Sequence, residues 1–500
     1  MIDPLLIAKN ERNIDVFILP EMINRHGLIA GATGTGKTVT LRVLVENLSR
    51  IGVPTFLADI KGDLSGIVIE GGNNPKIEER IKKLGLDNFL YAGYPVIFRD
   101  LFGEMGHPVR TTISELGPLL LSRILNLNNT QSGVLSIIFR VADDEGLMLL
   151  DLKDLRAMIT EVGENAAEIK VKYGNVSVSS LGAIQRALLE LEDQGANRFF
   201  GEPALEILNI IKTMDGKGIV NLFAAEKLIQ FPKLYSTFLL WFLSELYEQL
   251  PESGDLEKPK FVFFFDEAHL LFKDSPKSLE EKIIQIIRLI RSKGVGIFFI
   301  TQSPSDIPED VLSQLGNKIQ HALRVSTPNE EKAVKVAARS FRQNPAFDTQ
   351  KAISELGIGE ALISMLDKEG IPTPVERANI LPPTSRLTPL TNDERNRFMS
   401  FSPDAGKYDA PIDRISAYEK LAEKAKSERE LKSESENTKI KSVKYGKAST
   451  KKTVSRTRKA DQPKEIVGDL AVSVAKSIGT QVGRELVRGI LGSLSGSKKR

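Results

Sequence analysis

The sequence of 500 residues contains no cysteine and only four histidines. Without thiols the chain cannot form disulfides, thiolate metal sites or a cysteine nucleophile. The histidines are scattered along the chain, which argues against a dedicated zinc site. They are His26, His107, His269 and His321.

Long hydrophobic runs are also missing. The richest runs, 237–243 and 261–265, are each closed by charged residues within a few positions, which excludes a membrane-spanning helix there. The first residues carry an acid at Asp3 and no basic region before an apolar stretch, so a secretory signal is not expected. The expected compartment is the cytoplasm, and no transmembrane segment is predicted.

The composition is ordinary for a globular chain, with 41% hydrophobic and 27% charged residues. Its length predicts roughly two to four folding units. The net charge of +3 is distributed unevenly. Residues 401–500 carry 23 Lys and Arg against 13 Asp and Glu, whereas residues 1–400 carry 45 against 52. A basic tail with a binding partner of its own is therefore expected.

The first four hundred residues predict an α/β fold. Several short runs are apolar on both faces, as in strands of a parallel sheet that is covered by helices on both sides. These runs are 26–30, 54–58, 261–265, 295–300 and 319–325, with further strands near 95–98 and 218–223. Helical patterns follow some of them at 38–50, 278–293 and 329–338. Alternation of this kind predicts a mostly parallel sheet.

The spacing of these patterns predicts five segments. Residues 1–112 and 211–380 form the two parts of the core, and the mainly helical stretch 113–210 is an inserted subdomain. The core is expected to end after Ile380. Residues 381–464 form a linker, whose stretch 441–460 has eight basic residues and no acid and is expected to be disordered when free. Apolar residues at helical spacing predict an amphipathic helix at 465–494.

One motif fixes the chemistry of the first half of the core. Residues 31–38, GATGTGKT, match G-x-x-x-x-G-K-[ST] between a predicted strand and a predicted helix. In such a loop, glycines let backbone N–H groups wrap a phosphate, the lysine reaches the β- and γ-phosphates, and the threonine hydroxyl binds Mg²⁺. The nucleotide-binding residues are therefore Gly31, Ala32, Thr33, Gly34, Thr35, Gly36, Lys37, Thr38 and Val39, with Thr38 also a metal ligand.

Polar residues at the ends of later strands predict the second half of the site. Asp266 and Glu267 follow the run FVFFF, and we expect Asp266 to hold the metal and Glu267 to be the catalytic base. Gln302 follows the next strand and is expected to contact the γ-phosphate or the attacking water. Asp59 and Asp63 are further candidates, although either could instead cap a turn. His269 is expected to be a packed or capped histidine rather than a ligand.

Four segments in order resemble the HerA–FtsK superfamily of ring-forming P-loop ATPases, and most closely the bacterial HerA-like proteins of the YjgR type. They are HGLIAGATGTGKT, LADIKGDLSG, FFFDEAHLLF and GVGIFFITQSPSDIPEDVLSQLGNKIQHALR. The resemblance covers residues 15–380 and, with the ending QVGRELVRGILGSL, most of the chain. It implies a RecA-like P-loop core, hydrolysis of ATP with Mg²⁺, and a homohexamer that moves on or unwinds DNA.

The resemblance also implies an arginine supplied in trans by the neighbouring subunit. Arg291 is the first choice, Arg288 the second and Arg324, at the end of the run IQHALR, the third. A nuclease or another protein is the further partner that the family implies. HerA helicases carry a β-barrel ahead of the P-loop, for which the thirty residues present here are too few.

Two other functions remain open at this level. The chain could power the transfer of protein or conjugative DNA at a membrane, a role found elsewhere in this superfamily. It could also be a nucleotide-gated scaffold with slow turnover. A DNA-contacting pore loop is expected at 272–278, with Lys273 and Lys277 as the candidate contacts.

Overall fold

A computed structural model describes residues 2–272, 277–325 and 327–444 of the chain. The chain forms two compact units. The first consists of Met1–Thr111, Leu120–Leu127 and Ala187–Ile412, and the second of Thr112–Leu119, Asn128–Arg186 and the chain from Asp413 onward. The predicted helix 465–494, most of the basic stretch 441–460 and residues 273–276 of the predicted pore loop lie outside the described residues.

The strands of the described residues are β1 (Leu5–Asn10), β2 (Asp15–Ile18), β3 (Gly27–Ala30), β4 (Thr55–Asp59), β5 (Val96–Asp100), β6 (His107–Pro108), β7 (Thr213–Met214), β8 (Lys217–Gly218), β9 (Val220–Ala224), β10 (Phe261–Phe265), β11 (Val295–Thr301), β12 (Asn317–Gln320), β13 (Glu360–Ser364) and β14 (Glu376–Ile380). The helices are α1 (Lys37–Arg50), α2 (Pro75–Lys83), α3 (Ile113–Ile124), α4 (Asn129–Asp144), α5 (Leu152–Glu164), α6 (Ala166–Tyr173), α7 (Val178–Asp193), α8 (Pro232–Gln249), α9 (Lys277–Ile290), α10 (Glu309–Leu312), α11 (Pro328–Arg339), α12 (Thr349–Glu355), α13 (Asn392–Ser400) and α14 (Ala417–Lys444).

Twelve strands of the described chain form one sheet in the first unit, in the order β2-β1-β14-β13-β12-β3-β11-β10-β4-β9-β5-β6. The eight strands from β12 to β6 pair in parallel, and the pairs among β2, β1, β14, β13 and β12 are antiparallel. The sheet is thus mostly parallel, as predicted. The antiparallel edge was not predicted, because β1 and β14 mix polar with apolar residues and lack the continuous apolar signal of a buried parallel strand.

Strand β10 shows why this sheet needs helices on both faces. Its side chains alternate between the faces, as in any strand. Phe263 packs against Phe56 of β4 and Phe242 of α8, with ring centroids 5.0 and 5.3 Å apart. Phe264 faces the other way, toward Phe298 of β11, in the cluster that contains the apolar face of α1. Burying each of these rings stabilises the fold by about 1.5–3 kcal/mol.

The first unit continues past Ile380, where the core was expected to end. The segment 384–387 binds two buried side chains of α1. The carboxylate of Glu46 accepts hydrogen bonds from the N–H and hydroxyl groups of Thr384 and Ser385 at 2.6–3.1 Å. Arg42 donates to the carbonyls of residues 386 and 387 at 2.6 and 3.2 Å. These contacts join residues about 340 positions apart, which periodicity cannot reveal.

Farther along the chain, residues 404–409 contact strands β5 and β6 at one edge of the sheet. The fully buried guanidinium of Arg99 in β5 pairs with Asp404 at 2.8 Å. His107 lies 2.7 Å from Asp409. Residues 384–409 are therefore held within the first unit at several points by polar groups, in addition to the apolar packing of Leu390, Phe398 and Met399.

Three element boundaries differ from the sequence predictions. Strand β12 ends at Gln320, so Arg324 lies beyond the strand that was expected to end there. Helix α9 ends at Ile290, and Arg291 begins a separate 3₁₀ turn, Arg291–Lys293. Helix α14 extends to Lys444, into the stretch that was expected to be disordered when free.

The described part of the second unit consists mainly of helices. The buried carboxylate of Asp154 in α5 accepts from the hydroxyl of Ser416 at 2.6 Å and from the N–H of Tyr418 at 2.9 Å, which fixes the start of α14. Lys424 on α14 pairs with Glu161 on α5 at 2.7 Å. In the described part of the chain, no helix is both long and apolar enough to cross a membrane. The predicted boundaries of an inserted subdomain at 113–210 stay a prediction.

We expect Glu46→Ala to lower the free energy of unfolding by about 2–4 kcal/mol, because two buried donors of Ser385 and two partly buried donors of Thr384 lose a charged acceptor. Trp241, the single tryptophan of the chain, is buried in α8 and reports unfolding of this unit in urea. The matched control is Glu331→Ala, which removes a half-exposed carboxylate of α11 and should leave the free energy of unfolding nearly unchanged. Equal effects of the two substitutions would contradict this account of residues 384–387.

Candidate nucleotide-binding site

The glycine-rich loop connects β3, which ends at Ala30, to α1, which begins at Lys37. Gly34 and Gly36 have φ angles of 78° and 119°, in the left-handed region that favours glycine. Close packing around the loop is a second reason for glycine at these positions. A Cβ on Gly31 would lie 2.5 Å from the Cβ of His321, and one on Gly36 would lie 3.1 Å from the Cα of Gly359. The loop can follow this path only with glycine at these positions.

Neighbouring strands hold the loop by its backbone. The N–H of Gly31 donates to the carbonyl of Thr301 at 3.2 Å, and that of Ala32 to the carbonyl of Ala322 at 2.8 Å. On the other side, the carbonyl of Thr35 accepts from the N–H of Gly359 at 2.9 Å. The loop is therefore supported by the last residue of β11, by a residue just after β12 and by the residue before β13.

Lys37 is buried inside this loop. Its Nζ donates to the carbonyls of Gly31 at 2.5 Å and Ala32 at 3.1 Å. Burial lowers the pKa of Lys37, and the negative charge of Glu267 opposes that shift. Thr38 and Val39, the next residues of α1, are half-buried, whereas Thr33 and Gly34 at the tip of the loop are exposed. A buried cation beside the N-terminus of a fourteen-residue helix forms an environment that suits a phosphate.

Asp266 and Glu267 follow β10, which is separated from β3 by β11. Both side chains are buried, and the N–H of Glu267 donates to Oδ1 of Asp266 at 3.0 Å. Glu267 has a φ of 46°, a left-handed conformation that is uncommon for a residue with a side chain. Such conformations cost energy and cluster at functional sites, where surrounding contacts maintain them.

Three side chains surround the carboxylate of Glu267. Lys61, in the loop after β4, lies with Nζ 2.8 Å from Oε1. Gln302, directly after β11, donates from Nε2 to Oε2 at 3.4 Å, and Nδ1 of His269 is 3.5 Å from the same oxygen. Burial raises the pKa of Glu267, but the hydrogen bond and charge of Lys61 outweigh it, so the pKa lies below its usual value.

The pKa values of two neighbouring carboxyl groups, those of Asp59 and Asp266, are raised instead. Burial and the nearby Asp63 raise the pKa of Asp59 to about 7, although its carboxylate accepts from the N–H groups of Gly62 and Leu64 at 2.8 and 3.1 Å. Burial also raises the pKa of Asp266 to about 6, against the attraction of Lys61. Asp59 thus caps its turn, one of the two roles considered for it. The side chain of Asp63 is only partly buried.

The fold brings most of the predicted site residues to one edge of the sheet. Gly31–Val39, Asp59, Asp266, Glu267 and Gln302 all lie at or just after the carboxyl ends of parallel strands. This edge offers oxygen ligands for Mg²⁺ in the hydroxyl of Thr38 and the carboxylate of Asp266, which are ligand types that Mg²⁺ prefers.

The three arginines expected to act in trans do not share one location, and Arg324 follows β12 at the edge that carries the phosphate loop. Arg291 precedes β11, at the opposite edge from Gln302, and a seven-residue strand spans roughly 23 Å. The exposed Arg288 lies 3.4 Å from Asp310. Arg324 is also exposed. Arg291 therefore cannot reach the phosphate loop of its own chain.

Sequence reasoning missed three residues at this site. Lys61 was passed over in favour of the acids beside it, although a lysine two positions after Asp59 was a usable signal. His321 is buried, with Nε2 2.8 Å from Oγ1 of Thr40, and burial lowers its pKa to about 4. Arg80 of α2 donates to the carbonyl of Gly359 at 2.6 Å, which supports the loop that contacts Thr35. Nothing in the sequence connects Arg80 to the site.

A phosphate-binding loop follows the central strand β3, and two carboxylates follow β10, with β11 between these two strands. This arrangement defines the class of P-loop NTPases. The chain belongs to the family described as Helicase HerA-like C-terminal, which it matches over residues 4–500. This confirms the resemblance on which the sequence analysis relied.

The DNA double-strand break repair helicase HerA of Sulfolobus acidocaldarius is 24% identical over 364 residues, which cover 70% of this chain and 64% of that protein. The protein of the same name from Pyrococcus furiosus is 24% identical over 387 residues, covering 72% and 66%. The chain therefore spans only about 64% of the length of the first of these relatives.

A solved structure of the bacterial conjugative coupling protein TrwBdeltaN70, in an unbound monoclinic form, has the same fold. It is 13% identical, with a TM-score of 0.53, and the match covers 78% of this chain and 92% of that chain. At this identity the likeness concerns the fold and not the function. Together with the strand order, it confirms the predicted class, a P-loop NTPase with a RecA-like, mostly parallel sheet.

We expect stability to depend on pH through Asp59. The folded chain keeps this proton up to about pH 7, whereas the unfolded chain loses it near 3.8, so this group's contribution to stability falls as pH rises between those values. Asp59→Asn removes the titration. The stability of the variant relative to the unsubstituted chain should therefore rise between about pH 4 and about pH 7 and stay constant above that. Urea unfolding followed by Trp241 fluorescence measures this difference, and a difference independent of pH would contradict the shift.

Proposed function

We propose that this chain binds ATP with Mg²⁺ at the edge of the sheet described above and hydrolyses it. The observation that carries the proposal is the convergence of Lys37, Asp266, Glu267 and Gln302 from three neighbouring strands. Lys37 exchanges its loop carbonyls for oxygens of the β- and γ-phosphates. Gly31–Val39 wrap the phosphates with backbone N–H groups, which carry the partial positive charge of the start of α1.

Glu267 acts as the general base of this reaction. A water oxygen attacks the γ-phosphorus, and the bond from that phosphorus to the bridging oxygen breaks, leaving its electron pair on ADP. The proton of the water passes to the carboxylate of Glu267, and the amide of Gln302 orients the water. Thr38 and Asp266 would hold Mg²⁺, which when bound neutralises charge on the β- and γ-phosphate oxygens.

We further propose that hydrolysis drives movement on DNA or unwinding of DNA. Support comes from the family to which the chain belongs and from the two similar proteins named above, which are described as DNA double-strand break repair helicases. The basic tail, with eight positive charges and no acid in 441–460, suits binding to phosphate backbones.

The proposed assembly is a homohexameric ring. Its support is that the nucleotide edge and Arg291 lie at opposite ends of β11, so a head-to-tail arrangement could bring Arg291 of one subunit to the phosphates of the next. Arg288 and Arg324 remain the second and third candidates for this role. A nuclease or another protein is a further proposed partner.

Two other functions are tested by the same measurements. The likeness to a conjugative coupling protein keeps open an ATPase that powers transfer of DNA or protein, and a nucleotide-gated scaffold would bind ATP with slow turnover. DNA-stimulated hydrolysis favours the motor over both of them.

We expect Glu267→Gln to lower the maximal rate of ATP hydrolysis by at least ~10²-fold while ATP still binds, because the base is lost and the phosphate loop is kept. Lys37→Ala should in addition weaken ATP binding, since the phosphate charge then lacks its buried cation. The measurements are steady-state turnover at saturating Mg-ATP and equilibrium binding of a fluorescent ATP analogue. Undiminished turnover of Glu267→Gln would refute the assignment of the base.

We expect duplex DNA to increase the rate of ATP hydrolysis several-fold in a sample of measured oligomeric state. Removing residues 440–500 should weaken DNA binding and lower the slope of log affinity against log salt by about 0.9 per phosphate no longer neutralised. Basal hydrolysis should survive, because the proposed nucleotide-site residues precede residue 330.

The Glu267→Gln protein, purified identically, serves as the control for contaminating ATPases. Full activity in a demonstrably monomeric sample would contradict the ring. Hydrolysis unaffected by DNA would contradict the motor, and an unchanged salt slope after truncation would contradict DNA binding by the tail.

A further inference from the structure

Lys61 occupies a turn whose shape is fixed by a buried carboxylate. Asp59 ends β4, and its two oxygens accept from the N–H groups of Gly62 and Leu64. Gly62 has a φ of 70°, which allows the chain to reverse there. The turn presents Lys61 next to the end of β10, because β4 and β10 pair in parallel with Ala58 opposite Phe265.

The contact between Lys61 and Glu267 is short and unsymmetrical. Nζ of Lys61 lies 2.8 Å from Oε1 of Glu267. The Glu267 side chain is 8% exposed and that of Lys61 is 40% exposed, so the contact pairs a buried carboxylate with a lysine that reaches it from the surface. The negative charges of Asp266 and Asp63 also attract Nζ of Lys61.

The second oxygen of Glu267 has weaker contacts. Oε2 lies 3.4 Å from Nε2 of Gln302 and 3.5 Å from Nδ1 of His269, both longer than a good hydrogen bond. The two oxygens therefore differ. Oε1 pairs with the ammonium group of Lys61, whereas Oε2 faces the amide of Gln302, which is proposed to orient the attacking water.

We propose that Lys61 is a positioning residue that holds Oε1 of Glu267 and so leaves Oε2 as the oxygen that accepts the proton of the attacking water. This inference rests on the proposed ATP hydrolysis. The left-handed backbone conformation of Glu267 sets the direction in which its side chain leaves the backbone, and Lys61 holds the carboxylate at the other end of that side chain. A carboxylate held at one oxygen keeps the other in a constant direction, which catalysis by proximity requires.

A lysine at this edge could instead bind the γ-phosphate directly, as Lys37 is proposed to do. The two roles differ in what they affect. A phosphate ligand contributes to nucleotide affinity and acts whether or not Glu267 is a base. A residue that acts through Glu267 changes turnover alone and has no further effect once the base is gone.

The test uses the full chain with Lys61→Met, which keeps the length of the side chain and removes the donor. We expect kcat to fall roughly 10- to 100-fold with KM and the affinity for an ATP analogue changed less than about twofold. Lys61→Arg, which can still donate to Oε1, should recover most of the lost rate. The matched control is Lys335→Met, since Lys335 is a half-exposed lysine paired with Glu331 on α11, and it should leave both constants unchanged.

The decisive variant combines Lys61→Met with Glu267→Gln, measured in single turnovers. If Lys61 acts through Glu267, the double variant turns over as slowly as Glu267→Gln alone. Additive losses or weakened binding would show a phosphate contact and overturn the proposal. An unchanged or faster kcat in Lys61→Met would overturn it too. If the unsubstituted chain hydrolyses no ATP, it is the proposed function that fails, so the two failures can be told apart.

Discussion

The candidate site depends on the register of four parallel strands. Ala30 of β3 pairs with Thr301 of β11, Phe299 of β11 with Phe265 of β10, and Phe265 with Ala58 of β4. Gly31, Gln302 and Asp266 directly follow β3, β11 and β10, and Asp59 is the last residue of β4. Since strands lie about 4.8 Å apart and rise about 3.3 Å per residue, this register keeps the polar groups within reach of one another. A slip by one residue would move every side chain of β10 to the opposite, differently packed face of the sheet, so packing of the core protects the geometry of the site.

Helix α1 connects that edge to the rest of the unit. Its first residue, Lys37, is part of the phosphate loop, while Arg42 and Glu46 lie one and two turns farther along and are buried against residues 384–387. Buried charges are tolerated only where hydrogen bonds compensate for lost water, and both of these charges have several. The direction of α1, and with it the direction of its positive end, is therefore set by polar contacts to a distant segment as well as by the apolar face of the helix.

The sequence predicted those parts of the molecule whose signal is local. Continuous apolar strands such as β10 and β11, and the glycine-rich loop with its lysine, are short patterns with few alternative meanings. The antiparallel strands β1 and β14 were missed because each mixes polar with apolar residues and takes its place by pairing with strands that are distant in sequence or equally irregular in pattern. The role of residues 384–387 was missed because Glu46 and Arg42 look, in sequence, like ordinary surface charges of an amphipathic helix. Their burial is a property of the whole fold.

The same distinction explains what could be predicted about the chemistry. Asp266 and Glu267 could be located because acids after an apolar strand must lie at its carboxyl end. Their environment could not, since it depends on Lys61, Gln302 and His269, which reach one carboxylate from three separate loops. The pKa of Asp266 is raised and that of Glu267 is lowered, although the residues are adjacent in sequence and both are buried. Lys61 contributes most to the difference, because it donates to Oε1 of Glu267 and acts on Asp266 only through its charge, while Gln302 and His269 also lower the pKa of Glu267. Lys61, which follows a third strand, thus gives two adjacent buried carboxylates different electrostatic environments.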